Sequence, residues 1–410
     1  MVRKMKIKLK KKEATNIIMY IVVLIGYLFC IDIIGMSDVG ILDNLRYVLF
    51  AVAIAVGIFV LIKRNKVSIF DIGKKQLGAE IKDIFFVVII FFALSIVQAS
   101  KVGHVIGQRT YIQLALILIP ALYSYILVNT LSVGSLEKLF SLTLWIGIIF
   151  YVFLEIGIET FLVPSNYLAI DFLHSDSPFE SSSTPDIFLC CFMFFYFYRN
   201  SANSESKEYK KRTKNMYISL FFVFLSFKRL AVLFCLVMMI FNKFINIKGK
   251  MPKWTALATA IFFSLVVPIY TKFMQGQAMF GIDVFEFSKG RDYILGLWAA
   301  HNYLSYGYGS SMEIIGRYLE MDLVQIYLEI GLIAIFIFTY IYFKIARTSL
   351  FAYLFMLYEF FNMLTASSIP SPLGWTLVLV IIASVASKKT EIEGGSISQR
   401  NRIKFLWKRG

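Results

Sequence analysis

The sequence predicts an all-α polytopic membrane protein with about twelve transmembrane helices. Three observations carry this prediction. Hydrophobic residues make up 58% of the 410 residues, and the mean hydropathy of +0.71 lies far above that of soluble domains. Apolar runs long enough to cross a bilayer recur along the whole chain. Lys and Arg residues concentrate in the short segments between these runs.

The first apolar run, at about 16–36, follows the basic segment MVRKMKIKLKKK. It is too long for the apolar region of a signal peptide and lacks a small-residue cleavage site, so it is interpreted as a retained first span. The other predicted spans lie at about 46–62, 83–99, 111–128, 139–163, 186–199, 215–227, 229–242, 254–270, 323–343, 349–364 and 372–387.

The distribution of charge predicts the orientation of these spans. In the proposed cytoplasmic segments we count 33 of the 42 Lys and Arg residues, which places both termini in the cytoplasm. The net charge of +16 follows from these segments, so we expect no nucleic-acid partner. The chain is predicted to be one integral membrane domain, 1–410, with extracytoplasmic loops at 164–185 and 271–322. The second loop carries too many charges to lie in lipid, and we expect it to carry part of the active site.

Cofactor chemistry has little support in the sequence. The four cysteines fall inside apolar runs without the paired spacing of a zinc site, and the three histidines are scattered along the chain. We therefore predict no metal and no cofactor.

Lys228 and Arg229 interrupt an apolar run in SLFFVFLSFKRLAVLFCLVMMIF. Because an ionisable side chain inside a membrane is costly, such residues are interpreted by default as functional and as facing an anionic partner. The alternative is a tight turn between two short spans, with both side chains reaching the headgroups.

Arg291 stands at the start of a predicted helix in SKGRDYILGLW, directly after Gly290. An amphipathic helix at the outer interface would direct Arg291 towards a lipid headgroup, whereas the alternative is an ion pair with Asp292 or Glu286. Guanidinium groups bind phosphate oxygens in a bidentate manner and stay charged. The arginines therefore suit the pyrophosphate of a phosphorylated lipid.

Four segments resemble the Wzy/WaaL superfamily of bacterial O-antigen polymerases, O-antigen ligases and capsule polymerases. They are PFESSSTPDIF at 178–188, SFKRLAVL at 226–233, SKGRDYILGLW at 288–298 and EMDLVQIYLEIGLI at 320–333. In the last segment Asp322, Gln325, Glu329 and Gly331 match a family pattern of a polar start, Gln, then Glu-x-Gly before a span. The resemblance covers about 178–345, and the preceding spans match only in being hydrophobic.

The resemblance implies a C-type glycosyltransferase-like membrane fold that uses a polyprenyl-diphosphate-linked glycan as donor. Arg229 and Arg291 correspond to the arginines that would engage the donor pyrophosphate, with Lys228 beside them. The ligase branch carries a His where this chain has Glu320, Met321 and Asp322. The expected function is therefore a polymerase of O-antigen or capsule repeat units at the outer face of the bacterial cytoplasmic membrane, with a chain-length regulator and a flippase as partners.

For such a donor we expect glycosyl transfer with inversion and without a metal, because preorganised guanidinium groups can stabilise the lipid pyrophosphate as it leaves. Asp322, or secondarily Glu320, is the predicted proton acceptor, although Asp322 also suits an N-cap of the helix that follows. Glu180, Arg317 and Tyr318 are predicted to contact sugars, with aromatic rings such as Tyr318 offering stacking surfaces.

Other functions remain open at this stage. An O-antigen ligase would share the donor, and a flippase that moves lipid-linked oligosaccharides would also need intramembrane arginine. Transporters more often show internal repeats and broken helices in both halves, and the sequence shows neither clearly. A transferase that uses nucleotide sugars would need a cytoplasmic nucleotide site, for which no Asp-x-Asp or Gly-rich phosphate loop is present.

Overall fold

The computed structural model describes residues 2–34, 40–65, 77–170, 177–181, 184–199, 205–245, 247, 249–276, 288 and 290–386. Parts of both predicted extracytoplasmic loops and the C-terminal segment lie outside these residues, as do Glu286 and the last predicted residue of the final span. Within the described residues all regular secondary structure is helical.

The N-terminal half begins with five long helices. A π-helical turn at Tyr151–Glu155 extends α5, and two single-turn helices follow it. The helices are α1 (Val2–Ile34), α2 (Gly40–Asn65), α3 (Gly78–Lys101), α4 (Gln108–Thr130), α5 (Val133–Phe150), α6 (Ile158–Leu162) and α7 (Pro164–Leu168).

In the described residues, the C-terminal half contains ten further helices, several of them short. They are α8 (Pro185–Arg199), α9 (Lys207–Leu225), α10 (Arg229–Phe244), α11 (Lys253–Met274), α12 (Arg291–Ala299), α13 (Ser310–Ile315), α14 (Asp322–Ile330), α15 (Leu332–Ala346), α16 (Leu350–Thr365) and α17 (Pro372–Ala386). The helix predicted to begin at Arg291 is confirmed, because α12 starts at this residue. Gly290 is its N-cap residue and has a left-handed conformation with φ of 89°.

Six of the helical segments in the described residues are long and apolar enough to cross a membrane, and four shorter apolar helices accompany them. These features support an all-α, multi-pass membrane protein. The count of about twelve spans, the orientation of the termini and the identity of the membrane remain predictions.

Helix α8 lies at the centre of the bundle. It is buried on all faces, and Phe192 and Phe194 have no exposed surface, which is typical of an apolar helix surrounded by protein. Phe194 stacks on Phe140 of α5 at 4.0 Å between ring centroids. The hydroxyl of Tyr198 donates to the carbonyl oxygen of Ser384 in α17. By contrast, α2, α3 and α11 expose rows of large apolar side chains, as expected of lipid-facing helices.

In the described residues, the ion pairs lie at the two ends of the bundle. At one end, Arg212 pairs with Glu137 at 2.8 Å and Lys344 pairs with Asp83 at 2.8 Å. At the other end, α8 and α10 both begin, and Lys228 pairs with Asp186. We call this second end, defined by Asp186, Lys228 and Asp322, the site end.

Two predicted spans are interrupted in the structure. The segment predicted as one span at 323–343 is divided at Gly331, whose φ of 92° and ψ of 179° belong to a region open essentially only to glycine. The span predicted at 139–163 changes to a π-helical turn at Tyr151 and then bends at Gly157, where φ is 78°. The predicted loop from 271 starts later, because α11 continues to Met274.

Candidate functional site

A short segment before α8 assembles one side of the site end. The backbone N–H of Ser181 donates to the carbonyl oxygen of Ser226 at 3.4 Å. The hydroxyls of Ser181 and Thr184 both donate to Glu155 of the π-helical turn. These bonds hold the start of α8 against the turn that joins α9 to α10. Glu180, the predicted sugar contact, is exposed on this segment.

Lys228 and Asp186 form an ion pair where α8 and α10 begin. The Lys228 Nζ lies 2.7 Å from Asp186 Oδ2, and the two side chains are 19% and 25% exposed. The hydroxyl of Tyr358, in α16, donates to Asp186 Oδ1 at 2.8 Å. The pair therefore keeps some exposed surface, while the Tyr358 hydroxyl covers one oxygen of Asp186.

The chain around Lys228 forms a turn, as the alternative interpretation of this segment predicts. Phe227 has a φ of 61°, and α10 starts directly afterwards with Arg229, which is exposed. Lys228 is the N-cap residue of α10 but provides no side-chain cap hydrogen bond. The first N–H groups of α10 are thus not capped by this side chain, and two cations lie beside them.

Glu359, one residue after Tyr358, is 4% exposed. Its carboxyl group interacts electrostatically with Asp186 and Lys228 and hydrogen-bonds with Ser368. Asp186 is therefore the direct partner of Lys228, and the buried Glu359 carboxyl group lies close enough to feel the charges of both.

Asp322, the first predicted proton acceptor, anchors a segment that follows α16. It is 2% exposed. Its Oδ2 accepts hydrogen bonds from the N–H groups of Ser368 at 2.6 Å and Ile369 at 2.7 Å, and its Oδ1 accepts one from the Ser367 hydroxyl at 3.2 Å. Burial raises the pKa of Asp322 to about 7, and these hydrogen bonds limit the rise. The N-cap alternative is wrong, because Asp322 is the first helical residue and its carboxylate bonds to another segment.

Glu329 anchors the segment 305–311. Its carboxylate accepts hydrogen bonds from the N–H groups of Gly309 and Ser311, from the Ser311 hydroxyl at 2.6 Å and from Gln325. Tyr308 in this segment is 1% exposed. Glu329, whose carboxylate Gln325 also contacts, thus holds this segment against α14. Both residues were quoted above for their resemblance to a family pattern.

The remaining predicted residues lie around the edge of the site end or apart from it. Arg291 is partly buried and donates from Nη1 to the carbonyl oxygen of Ser288 at 3.2 Å. Within the described part of the chain, no contact joins Arg291 to Lys228 or Arg229. Glu320 and Arg317 are exposed, and Glu320 has a φ of 56°.

Tyr318 belongs to a second polar group at the site end. Burial raises the pKa of Tyr318 to about 12, and its hydroxyl hydrogen-bonds with Tyr47. The positive charges of Arg46 and Arg109 also act on this hydroxyl, and the Arg46 guanidinium lies 4.8 Å from the centre of the Tyr47 ring. The structure thus adds two arginines from the N-terminal half to the predicted sugar contact.

Sequence reasoning did not single out Asp186, Tyr358, Glu359 or the neighbouring Asn362. A signal was available for Glu359, an acidic residue in the apolar run LFAYLFMLYEFFNMLT. Asp186 lies within a segment quoted for the resemblance, but its partner Tyr358 is 172 positions away in sequence. For metals, the described residues contain no group of three or more His, Cys, Asp or Glu side chains placed to hold an ion.

Comparisons with known proteins find no matching family model, no matching curated protein and no matching solved structure. The fold and the site define a class: an all-α, multi-pass membrane protein with a buried polar cluster at one end of its bundle. The resemblance to the Wzy/WaaL superfamily therefore rests on the four sequence segments.

Proposed function

We propose that this protein joins polyprenyl-diphosphate-linked oligosaccharide repeat units into a surface polysaccharide, an O-antigen or a capsule, at the outer face of the bacterial cytoplasmic membrane. The observation that carries the proposal is the start of α10. There a partly exposed Lys228, an exposed Arg229 and the first N–H groups of α10, which the Lys228 side chain does not cap, lie together. This combination suits the pyrophosphate of a lipid carrier.

The electrostatics of the two helix starts supports this assignment. The N-terminus of a helix carries partial positive charge, so a cation placed there is unfavourable unless an anion binds nearby. Arg229 is the first residue of α10 and Arg291 is the first residue of α12, and the N-cap residues of the two helices provide no side-chain cap hydrogen bond. Asp186 pairs with Lys228 at the start of α10, and Asp292 lies in the first turn of α12. We propose that a phosphate ligand binds the two arginines beside these acids, as the resemblance implies.

In the proposed reaction, the hydroxyl of the acceptor sugar attacks the anomeric carbon of the donor sugar. The bond from this carbon to the pyrophosphate oxygen breaks, and the lipid pyrophosphate leaves with inversion at the carbon. Lys228 and Arg229 stabilise the charge that develops on the leaving group, without a metal in this scheme. We assign Arg291 to the same pyrophosphate after closure of the outer loop over the site.

The proton released by the acceptor hydroxyl needs an accepting group. Asp322 is buried and already accepts three hydrogen bonds, so its geometry favours an anchoring role. Glu320 is exposed two residues earlier, and we propose it as the proton acceptor. The exposed Glu180, Arg317 and the partly buried Tyr318 border the site end and are proposed to contact the glycan.

The test uses purified protein in liposomes with a lipid-diphosphate-linked repeat unit, and the products are separated on a gel. We expect the wild type to extend the glycan without nucleotide or metal. Arg229→Lys and Arg291→Lys are expected to lower the rate about 10- to 100-fold, because lysine loses the bidentate contact with phosphate. Arg347→Lys, at the opposite end of the bundle, is the matched control and should retain the wild-type rate.

Other outcomes would favour the alternatives. Transfer of a single glycan to a lipid A-type acceptor, without a ladder of products, would indicate a ligase. Movement of a labelled lipid-linked oligosaccharide across the bilayer without any transfer would indicate a flippase and would contradict the enzyme proposal.

A further inference from the structure

Asn362 is a buried amide whose side chain has no hydrogen-bond partner in the described part of the chain. It lies in α16 and is 1% exposed, and both Oδ1 and Nδ2 are buried and unbonded. Buried amide groups in proteins nearly always have partners. An amide with both polar atoms unpaired therefore indicates that a ligand or water occupies the adjoining space in some state of the protein.

The helical repeat places Asn362 on the same face of α16 as Tyr358 and Glu359. It follows Glu359 by three residues and Tyr358 by four, and residues at these spacings are neighbours on a helix surface. That face is directed towards α8 and α10, because Tyr358 bonds to Asp186 and Asp186 pairs with Lys228. Asn362 is also one turn closer than Glu359 to the segment that Asp322 anchors.

The surrounding charges restrict which ligand fits. Asp186 and Glu359 carry carboxyl groups and disfavour an anion beside Asn362, whereas Lys228 disfavours a cation. Cys190 of α8 also faces Glu359. An amide offers one acceptor and two donors, and a carboxyl group offers further acceptors. Adjacent hydroxyl groups of a neutral sugar match this set.

We propose that Asn362 and Glu359 bind hydroxyl groups of the sugar that is attached directly to the lipid diphosphate. This inference rests on the proposed function, in which Lys228 and Arg229 bind the pyrophosphate. That sugar must lie next to the pyrophosphate, and the face of α16 with Asn362 adjoins Lys228 through Asp186. These two residues then determine which donor sugar the protein accepts.

Entry of the sugar requires the cluster to open, because Asn362 is almost fully enclosed. The segment Ser367–Ile369 lies directly after α16 and bonds to both Glu359 and Asp322. Displacement of this segment would uncover the last turn of α16. Asp322 then acts as a positioning residue, since its three hydrogen bonds set the closed arrangement.

The experiment measures binding of two kinds of lipid to the full chain in nanodiscs. One probe is undecaprenyl diphosphate, and the others are the same lipid carrying one glucose, galactose or N-acetylglucosamine. We expect the wild type to bind at least one sugar-bearing lipid about tenfold more tightly than the sugar-free lipid. Asn362→Leu should abolish this preference and leave binding of the sugar-free lipid unchanged, because each lost hydrogen bond weakens binding by about tenfold.

A control variant and a stability measurement separate binding from folding. Thr339→Val removes another buried, unbonded hydroxyl, in α15, and should leave the sugar preference intact. Asn362→Leu should not lower the thermal unfolding temperature, because replacing an unpaired buried amide by an apolar group of similar shape is close to neutral or stabilising.

Each remaining outcome has a defined meaning. If wild type and Asn362→Leu show the same preference, or if the wild type shows none among the three sugars, the sugar site is contradicted while the proposed function stands. If neither kind of lipid binds to the wild type, the proposed function itself fails. A marked fall in unfolding temperature for Asn362→Leu would show that the amide is structural and would also overturn the inference.

Discussion

At the scale of single residues, the site end is arranged around carboxyl groups with different surroundings. Asp186 pairs with a lysine and is partly exposed, whereas Asp322 receives only N–H and O–H donors and is buried. Glu329 likewise receives several donors, all from the chain around it. Carboxylates of the second kind hold segments together, while Asp186 and its lysine remain available to a ligand.

The raised pKa of Asp322 predicts how the stability of the folded protein changes with pH. Burial raises the pKa of Asp322 from 3.8 to about 7, so between these values the folded protein binds more protons than the unfolded chain. Stability is therefore expected to fall as the pH rises from about 4 to about 7, and to level off above that range. Asp322→Asn should remove this part of the dependence.

The measurement is the apparent unfolding temperature in detergent across this pH range, for wild type and Asp322→Asn. Glu320→Gln, an exposed acid two residues away, is the control and should keep the wild-type slope. Parallel slopes for wild type and Asp322→Asn would contradict the assignment.

At the scale of elements, the segment 305–311 is anchored by hydrogen bonds to two helices. Glu329 bonds to it from α14, and the N–H of Tyr308 donates to the Ser95 hydroxyl of α3. Its glycines are required for close approach: a Cβ on Gly309 would lie 2.9 Å from a side-chain atom of Gln113 in α4. The segment therefore joins α3, α4 and α14.

Glu329→Gln is expected to loosen this segment. The amide introduced by this substitution would direct its NH₂ donors at N–H groups that now bond to carboxylate oxygens. Loss of this buried, charge-assisted network is expected to lower the free energy of unfolding by about 2–4 kcal/mol. We expect a lower unfolding temperature and faster protease cleavage within 303–311. Glu313→Gln, which alters an exposed carboxylate that bonds to Arg109 N–H and Tyr306, should have a smaller effect. Equal effects would contradict the anchoring role.

Local sequence patterns predict several of these elements, and their limits are physical. Gly290 before Arg291 correctly indicates the start of α12. The continuous apolar run after Asp322 hides the break at Gly331, because hydropathy does not report the backbone angle of a glycine. Asp186 and Tyr358 meet only through the packing of α8 against α16, and no local pattern records such a contact. The two arginines expected at one pyrophosphate are not in contact in the described residues, and their joint role stays a prediction.

At the scale of the whole molecule, the two ends of the bundle carry different sets of polar groups. One end carries the ion pairs Arg212–Glu137 and Lys344–Asp83. The site end combines the ion pair Lys228–Asp186 with the buried carboxyl groups of Asp322 and Glu359. A central helix buried on all faces connects these ends, so the start of α8 with Asp186 is fixed by packing along its full length.

The short helices of the C-terminal half have a consequence for the lipid around the protein. Helix α15 has 15 residues, which at 1.5 Å per residue spans about 22 Å, less than the roughly 30 Å of a typical hydrocarbon core. Both α10 and α15 expose apolar residues, including Leu233, Ile240 and Ile333. Where a helix of this length crosses a membrane, local thinning of the bilayer is one way to match it. The leaflet would thus be compressed beside Lys228, and we expect glycan extension to be faster in liposomes of short-chain than of long-chain phospholipids.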